Sequence, residues 1–345
     1  MESDLDFSVC LNPLGTPASV KSALTEAIQD FSGLPDAHFS RLRGAFAGRH
    51  GASVAQVAVG DHEEELIELL AESALSVKRA LVPEPCPPSY LRALKAAGIS
   101  VNPLELHLRY DLRLQYDELH RELDGCQMLL LGNPAWPASA LVDRDQMTAA
   151  IGDFLKDGGW LIVDERGIDF TYGSVANSLW PSLRHEPHAA VIRSLTGLLA
   201  LPLCPVCYAV GGAAWVTAAR ERQFSPPLSP LADFLAPALT GLTEFRGRTV
   251  EYTAHTMGLF TGRLRRITGL RPLPYDANWV LCRLERRDFT VAELAITLRQ
   301  QGLIIRPIVD GSYFMLGMRV PLESNRLIRA IRSVAMPRRK KSSKR

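Results

Sequence analysis

Short apolar runs alternate with helical segments through the first two thirds of the chain, and this alternation restricts the fold more than any other feature. The runs are VAVG (57–60), RALVP (79–83), QMLLLGNP (127–134), WLIVDE (160–165), AAVIR (189–193) and CYAV (207–210). Runs this apolar are typical of strands that are buried on both faces, as in parallel sheets covered by helices. The sequence therefore predicts an α/β fold with a mostly parallel sheet between helices.

The pattern changes after the proline-rich stretch 224–234. A long helical region to about residue 267 leads to a strand at 278–284, a helix opened by a Thr290–Glu293 capping box, strands at 303–307 and 312–318, and a closing helix at 321–334. We therefore predict four parts: an N-terminal arm and helix (1–35), a large domain (36–235), a smaller α+β C-terminal domain (236–336) and a basic disordered tail (337–345).

Charge gives no argument for nucleic-acid binding. The formal net charge is +2, but residues 338–345 carry six positive side chains, so the rest of the chain is mildly acidic. The six cysteines lack the spacing of a disulfide framework, and the N-terminus lacks a signal-peptide layout. No charge lies between Arg193 and Arg220, yet two prolines and a glycine pair there favour buried strand and turn over a membrane span. We expect a cytoplasmic protein with no membrane contact.

Five segments, in a fixed order, carry a family resemblance. They are DFSVCLNPLG (6–15), VDERGIDF (163–170), RSLTGLLALP (193–202), DANWVLCRL (276–284) and RVPLESNRL (319–327). Together they resemble fold-type-I pyridoxal-phosphate enzymes, and within these the threonine-phosphate decarboxylase and histidinol-phosphate aminotransferase group. The resemblance covers nearly the whole chain before the tail. It implies an aminotransferase-like large domain, pyridoxal phosphate as the family cofactor, and a site at a dimer interface.

The residue that forms the Schiff base in that family is missing here. The family turn reads S-L-T-K, whereas this chain has Ser194, Leu195, Thr196 and then Gly197. A glycine offers no amine for the covalent link or for proton transfer. The resemblance therefore implies a protein that has no catalytic residue at this position, with Ser194 and Thr196 as vestigial cofactor-binding residues.

The family turn that cradles the cofactor phosphate is also altered. Its G-N-G-x-x-E pattern becomes Gly60, Asp61, His62 and three glutamates at 63–65. Backbone N–H groups at a helix start attract a phosphate, but neighbouring carboxylates repel it. The turn is predicted either to oppose phosphate binding or simply to cap a helix.

Contacts to the cofactor ring are changed in the same way. The acid that pairs with the ring nitrogen is retained as Asp164, and we expect Arg166 to pair with Asp164 or with the acidic turn. Gly167 stands where the family has a hydroxyl or aromatic partner, and Trp136 lies in the loop of the ring asparagine. We predict that Trp136 fills the vacated cofactor space; the alternative is that it stacks on another flat ligand.

On the substrate side, Met315 replaces the family arginine that grips the substrate carboxylate. Asn12, Arg306 and Arg319 remain as predicted substrate-binding residues, although the arginines can equally face solvent. Two further patterns are interpreted as structural, not as metal sites: the pair Cys204 and Cys207, and the His185–His188 turn, for which the sequence offers no further ligand.

The leading hypothesis is a degenerate homologue without pyridoxal-phosphate catalysis that works as a partner or ligand-binding protein. It would form a homodimer, or a heterodimer with an active paralogue. The rival hypothesis is an enzyme that holds pyridoxal phosphate non-covalently through Asp164, Ser194 and Thr196. It would act as a decarboxylase or transaminase on a phosphorylated amino acid, with a link to cobalamin synthesis. Side chains of Trp136 and His62 in the cofactor volume would exclude it. A third hypothesis is a sensor for small phosphorylated or carboxylated metabolites.

Overall fold

The structure is a computed structural model that describes residues 4–29, 36–223, 227–239, 241–286, 288–308 and 311–335. The predicted basic tail (337–345) lies outside the described residues. The strands are β1 (Leu5–Asp6), β2 (Val57–Gly60), β3 (Arg79–Glu84), β4 (Ser100–Glu105), β5 (Met128–Gly132), β6 (Trp160–Asp164), β7 (Ala189–Ser194), β8 (Cys207–Gly211), β9 (Leu270–Pro272), β10 (Trp279–Leu284), β11 (Leu303–Ile304), β12 (Arg306–Pro307) and β13 (Tyr313–Gly317).

Helices precede, separate and follow these strands. They are α1 (Ala18–Gln29), α2 (Ser40–His50), α3 (Glu63–Ser73), α4 (Pro88–Ala96), α5 (Tyr116–Glu122), α6 (Arg144–Lys156), α7 (Ser174–Asn177), α8 (Trp180–Leu183), α9 (Ala213–Glu221), α10 (Ala236–Leu239), α11 (Leu242–Leu264), α12 (Val291–Arg299) and α13 (Pro321–Ala335). Among the described residues, no helix combines the length and the apolar character needed to cross a membrane.

Within the described part of the chain, seven strands form a central sheet in the order β2-β8-β7-β6-β5-β3-β4. Strand β8 is antiparallel to both of its neighbours, and the other pairs are parallel. Successive side chains point to opposite faces, so Val191 packs with α1, α2, α6 and the start of α11 while Ile192 packs with α3, α4 and α9. The predicted mostly parallel sheet between helices is confirmed.

The C-terminal part has its own sheet and core. Strands β12, β13, β10 and β9 form a four-stranded antiparallel sheet, and Phe314 packs there with side chains of α11, α12 and α13. The N-terminal arm joins this unit, because β1 pairs in parallel with β11 and Phe7 enters the same core. The α+β character is as predicted. The four boundaries stay predictions, and the core of the large sheet continues beyond residue 235 to Phe245.

Local signals in the sequence explain several helix ends. The capping box of α12 is confirmed, since Thr290 N donates to Glu293 Oε2 at 2.7 Å and Glu293 N donates to Thr290 Oγ1 at 3.2 Å. Helix α2 ends at Gly51, whose φ of 59° lies in the left-handed region that favours glycine. Edge strand β4 was not predicted, because its mostly exposed sequence with a central proline does not form an apolar run.

The predicted strand at 303–307 is divided in two. Its first half, β11, pairs with the N-terminal arm, whereas its second half, β12, pairs with β13. In the central sheet, register aligns Gly132 with Asp164 and Asp164 with Ile192. Strands β5, β6 and β7 therefore end close together, and the segments after them meet at the carboxyl edge, where parallel sheets place their ligand sites.

Candidate functional site

A cavity of about 480 Å³ lies at the carboxyl ends of β6 and β7, and we call it the carboxyl-edge cavity. Its walls come from the N-terminal arm, the starts of α3 and α4, the loop after β5, the segments after β6 and β7, and the C-terminal sheet. The lining includes Ser8, Cys10, Glu63, Glu64, Tyr90, Arg92, Trp136, Asp164, Arg166, Phe170, Ser194, Thr196, Gly197, Trp279, Arg306 and Met315.

The turn after β7 places Ser194, Thr196 and Gly197 on the cavity wall. Thr196 Oγ1 accepts a bond from Val206 N at 3.0 Å, and Ser194 Oγ accepts one from Cys207 Sγ at 3.4 Å. A Cβ at residue 197 would lie 3.1 Å from the backbone oxygen of Cys10 in the arm. The turn therefore supplies hydroxyl groups but no amine, and the polar neighbour of Ser194 is a thiol.

Asp164 keeps a buried carboxylate, but the protein's own side chains occupy it. Arg166 Nε lies 2.7 Å and Arg166 Nη2 lies 2.5 Å from Asp164 Oδ2, and the Tyr90 hydroxyl donates to the same oxygen at 2.7 Å. Burial, together with the Asp164 charge, raises the pKa of Tyr90 well above its ordinary value. The oxygen that would face a ring nitrogen is thus already bound by a guanidinium and a phenol.

Arg166 also contacts the acidic turn. Its Nη1 lies 3.3 Å from Glu64 Oε1 and 3.7 Å from Glu63 Oε2. Both predicted pairings of Arg166 are therefore present at once. Burial acts to raise the pKa of Glu64, but the Arg166 guanidinium holds it below its ordinary value. At the inner end of the cavity, three carboxylates surround one guanidinium, whereas the exposed Arg92 and Arg306 line its outer part.

Gly60, Asp61 and His62 lie beside the carboxyl-edge cavity and not on its wall. His62 precedes α3 as an exposed residue, and its Nδ1 is 2.8 Å from Asp61 O. The Glu65 side chain covers Gly60, since a Cβ there would come within 2.8 Å of Glu65 Oε2. His62 therefore does not exclude the rival hypothesis, because its ring turns back to its own chain and does not reach the wall of the carboxyl-edge cavity.

Trp136 lines the carboxyl-edge cavity without filling it. The side chain is half-buried, and it also borders the neighbouring apolar grooves. With Trp136 on the wall, about 480 Å³ is left beside it. The prediction that Trp136 fills the vacated space is therefore wrong, while stacking on a flat ligand stays a prediction.

A different tryptophan fills the space left at Gly167. Two atoms of the Trp279 indole lie 2.6 Å from the point where a Cβ of residue 167 would stand, and Trp279 Nε1 donates to Pro137 O at 3.1 Å. Sequence reasoning missed this residue. The large tryptophan in DANWVLCRL and the glycine at 167, which has no side chain, were a usable signal. Only the fold, however, brings the two segments together.

Two of the predicted substrate-binding residues have structural roles. Buried Asn12 donates to Leu198 O at 2.9 Å and to Thr249 Oγ1 at 2.8 Å. Arg319 pairs with Glu323 at 2.7 Å, where its Nε donates to the carboxylate. Both therefore tie the arm or a helix in place away from the cavity wall, and their predicted contact with substrate is corrected.

Arg306 alone of the three predicted substrate residues lines the carboxyl-edge cavity. It is exposed, and in the C-terminal sheet it pairs in register with Met315, the residue at the position of the family's carboxylate-binding arginine. Both side chains line the cavity. Arg306 therefore supplies a cation to the cavity wall directly beside Met315.

The other sequence patterns have packing roles. Burial raises the pKa of both Cys204 and Cys207, which favours unreactive thiols. The imidazole of His188 stacks on Trp160 with ring centroids 4.1 Å apart, and Arg184 Nε bonds to His185 Nε2 at 3.0 Å. In the parts of the chain that the structure describes, no group of His, Cys, Asp and Glu side chains is suited to hold a metal ion.

The residues present do not fit covalently held pyridoxal phosphate. Position 197 has no amine, Arg166 occupies the acid meant for the ring nitrogen, and Glu63 and Glu64 stand where the phosphate cradle would open. Buried charges are stable only when they are paired, and here Asp164, Glu63 and Glu64 all lie within ion-pair distance of Arg166 without a cofactor. What the cavity offers chemically is binding: an anionic inner end, a cationic outer part, and hydroxyl and aromatic walls.

Comparison with known proteins agrees with this architecture. The family model "Aminotransferase class I and II" matches residues 2–315. A threonine-phosphate decarboxylase of Salmonella typhimurium is 30% identical over 337 residues, which cover 96% of this chain and 91% of the relative. The predicted resemblance is confirmed.

Solved structures confirm the fold. The histidinol-phosphate aminotransferase of Clostridium acetobutylicum superposes with a TM-score of 0.87 at 22% identity and covers 96% of this chain and 99% of its own. The L-threonine-O-3-phosphate decarboxylase of Porphyromonas gingivalis gives a TM-score of 0.82 at 16% identity, with the same shares covered.

Proposed function

Because this chain belongs to the class I and II aminotransferase family, we propose that it is a member in which non-covalent binding of a small metabolite has replaced pyridoxal-phosphate catalysis. One observation carries the proposal: Arg166 is bound to Asp164 in a cavity that has Gly197 at the lysine position. The missing lysine is thus accompanied by a second change in the same cavity, since a guanidinium binds the acid that the resemblance assigns to the cofactor ring.

The charges on the cavity wall support a ligand with two unlike ends. Glu63 and Glu64 face an amine better than a phosphate, whereas Arg306 suits a carboxylate or phosphate. A volume of about 480 Å³ accommodates a compound of amino-acid size. Since a relative is named for threonine phosphate, phosphorylated amino acids are the first compounds to test. A link to cobalamin synthesis stays a proposal of the same kind.

The first experiment measures cofactor retention. Wild type, Gly197→Lys and the double variant Gly197→Lys/Arg166→Met are mixed with pyridoxal phosphate, dialysed and examined by absorbance. We expect no retention by wild type or by the single variant, and measurable retention only when Arg166 is also removed. Retention by wild type would contradict the proposal.

A second candidate function is lysine-independent cofactor binding, favoured by the open volume beside Asp164, Ser194 and Thr196. The same titration decides between the two, because reversible retention by wild type is the result this candidate requires. Calorimetry with O-phosphothreonine then tests the ligand class. Arg306→Gln should weaken its binding about tenfold, the usual cost of one charge-assisted hydrogen bond.

We further propose that the protein assembles as a homodimer, or as a heterodimer with a lysine-bearing paralogue. The support is the family resemblance alone. Light scattering of the purified protein, and co-purification from its native cell, separate the two forms from each other and from a monomer.

A further inference from the structure

A second cavity, of about 740 Å³, lies on the opposite face of the central sheet. Arg193 and Ser194 are neighbours on β7, and successive strand side chains point to opposite faces. Ser194 lines the carboxyl-edge cavity, whereas Arg193 lines the second one. We call it the arginine cavity; its walls include Gly44, Arg49, His50, Trp180, Arg193 and Arg246.

Positive charge exceeds negative charge around the arginine cavity. Arg193 Nη1 pairs with Glu165 Oε2 at 3.1 Å. Arg49 Nη2 and Arg246 Nε share a single carboxylate oxygen, Asp169 Oδ1, at 3.0 and 2.9 Å. Three guanidiniums therefore face two carboxylates, and these carboxylates are almost fully buried.

His50 adds neither a negative nor a positive charge to the arginine cavity. Burial, together with the charges of Arg193 and Arg49, lowers the pKa of His50 to about 3, so its ring is neutral at physiological pH. His50 Nε2 bonds to the Tyr208 hydroxyl at 2.9 Å. The neutral ring therefore leaves the surplus positive charge of the three arginines unchanged.

Donor groups are also left without acceptors. Arg193 is 2% exposed. In the described part of the structure, its Nε and the buried Nη1 of Arg49 have no hydrogen-bond partner. A buried donor without an acceptor costs about 1–3 kcal/mol, so unpaired guanidinium nitrogens beside a cavity indicate a place for an acceptor. Among the other polar groups, the Tyr208 hydroxyl interacts with the Arg193 side chain and also bonds to His50 Nε2. Ser178 Oγ and Leu179 N both donate to Glu165, so neither accepts a bond from Arg193 Nε.

We propose that the arginine cavity is a binding site for a small anion that carries a carboxylate or phosphate group. Guanidinium forks match the paired oxygens of both groups, and one added anion would offset the surplus charge and provide the missing acceptors. The site is separate from the carboxyl-edge cavity, so this inference does not depend on the proposed function.

The test is calorimetry of the full-length protein with inorganic phosphate and, separately, with succinate as a carboxylate probe. Arg246→Gln is the main variant, since its guanidinium is only one of two on Asp169. Arg49→Gln is the second variant, in case the first fails to fold. Arg299→Gln, at an exposed arginine in the last turn of α12, is the matched control, and Arg306→Gln separates binding in the carboxyl-edge cavity from binding in the arginine cavity.

We expect at least one probe to bind wild type, and the Arg246→Gln and Arg49→Gln variants to bind it at least about tenfold more weakly. Arg299→Gln should bind it as wild type does, and Arg306→Gln should retain the binding that Arg246→Gln and Arg49→Gln lose. The stronger probe identifies the class of anion. Three results would overturn the proposal: no binding of either probe at millimolar concentration, equal binding by Arg246→Gln, or loss of binding in Arg306→Gln only. In the first case, the acceptor would have to be a carboxylate of a partner protein.

Discussion

The two cavities on either face of the sheet hold arginines in opposite charge environments: a half-buried Arg166 and a fully buried Arg193. In the carboxyl-edge cavity, carboxylates outnumber the guanidinium, and Arg166 is held by Asp164, Glu63 and Glu64 together. In the arginine cavity, guanidiniums outnumber carboxylates, and Arg193 keeps an unpaired donor. The first cavity therefore has an excess of carboxylates around its arginine, whereas the second has an excess of guanidiniums.

The two cavities show two arrangements of charged side chains around a binding site. Under the proposed function, in which no cofactor is held covalently, residues of the cofactor site can pair with each other, as Asp164 does with Arg166. A site that binds a ligand retains hydrogen-bond donors without a partner in the protein, because the ligand supplies the acceptors on binding. The comparison therefore predicts that removing the arginine of the carboxyl-edge cavity lowers the free energy of unfolding less than removing Arg193 from the arginine cavity.

The largest expected effect comes from a matched pair of substitutions, Arg193→Met and Arg166→Met. Arg193→Met leaves Glu165 fully buried and without its cation, and we expect a loss of about 3–5 kcal/mol in the free energy of unfolding. Arg166→Met should cost only about 1–2 kcal/mol, because cavity water can reach Asp164 and Tyr90 still donates to it. Urea unfolding followed by circular dichroism measures both.

The control for this pair is the double variant Arg193→Met/Glu165→Gln, which removes both charges and should recover part of the loss. Equal losses in the two single variants would remove the contrast between the cavities.

The second prediction concerns acid. The pKa of His50 is lowered from 6.5 to about 3, mainly by burial and then by Arg193 and Arg49. The native state thus binds fewer protons than the unfolded state, so the stabilisation is complete above pH 6.5 and is lost as pH falls towards 3. The loss is at most about 1.4 kcal/mol for each pH unit. Asp169, with a pKa of about 2, contributes only below its ordinary value of 3.8.

Urea unfolding at intervals from pH 7 to pH 4 tests the acid effect, with His50→Gln as the comparison. The groups that act on His50 are Arg49, Asp169, Arg193, Tyr208 and Arg246. The variant should show a shallower decline than wild type, and parallel curves would show that His50 is not responsible. A saturating anion in the arginine cavity should make the wild-type decline shallower as well.

The smallest effect is expected for Tyr90→Phe. It removes one of several donors to Asp164, and Arg166 remains, so we expect a loss of about 0.5–1.5 kcal/mol. Thermal unfolding of Tyr90→Phe beside wild type measures it. A loss as large as that of Arg193→Met would mean that Asp164 is not held by Arg166 as described.

The sequence predicted the fold well because strands and helices leave local signals. Apolar runs identified β2, β3, β5, β6, β7 and β8, and Gly51 and Thr290 marked helix ends in the way their backbone chemistry requires. Edge strand β4 was missed because half-exposed strands have no such pattern. The family resemblance was equally local, since it rested on short segments in order.

The site was predicted less completely, because its decisive contacts join distant segments. The pairing of Arg166 with Asp164 and the acidic turn was foreseen, since the residues were chemically complementary and the fold was known in outline. The packing of Trp279 against Gly167 was not, because a tryptophan in a strand shows only that it is buried, not what it covers. Arg193 was passed over for the same reason: its ion-pair partner Glu165 lies on a different segment, 28 residues earlier in the chain.

The N-terminal arm has a consequence for synthesis on the ribosome. Strand β1 pairs with β11, and Gly317 N donates to Phe7 O at 2.7 Å, so the first residues of the arm pair with residues translated about three hundred positions later. Ser8 and Cys10 of that arm form part of the carboxyl-edge cavity. Since distant segments can pair only after the later one has emerged, a nascent chain has no complete cavity until its final portion is made. Occupancy of that cavity would therefore distinguish finished molecules from truncated ones.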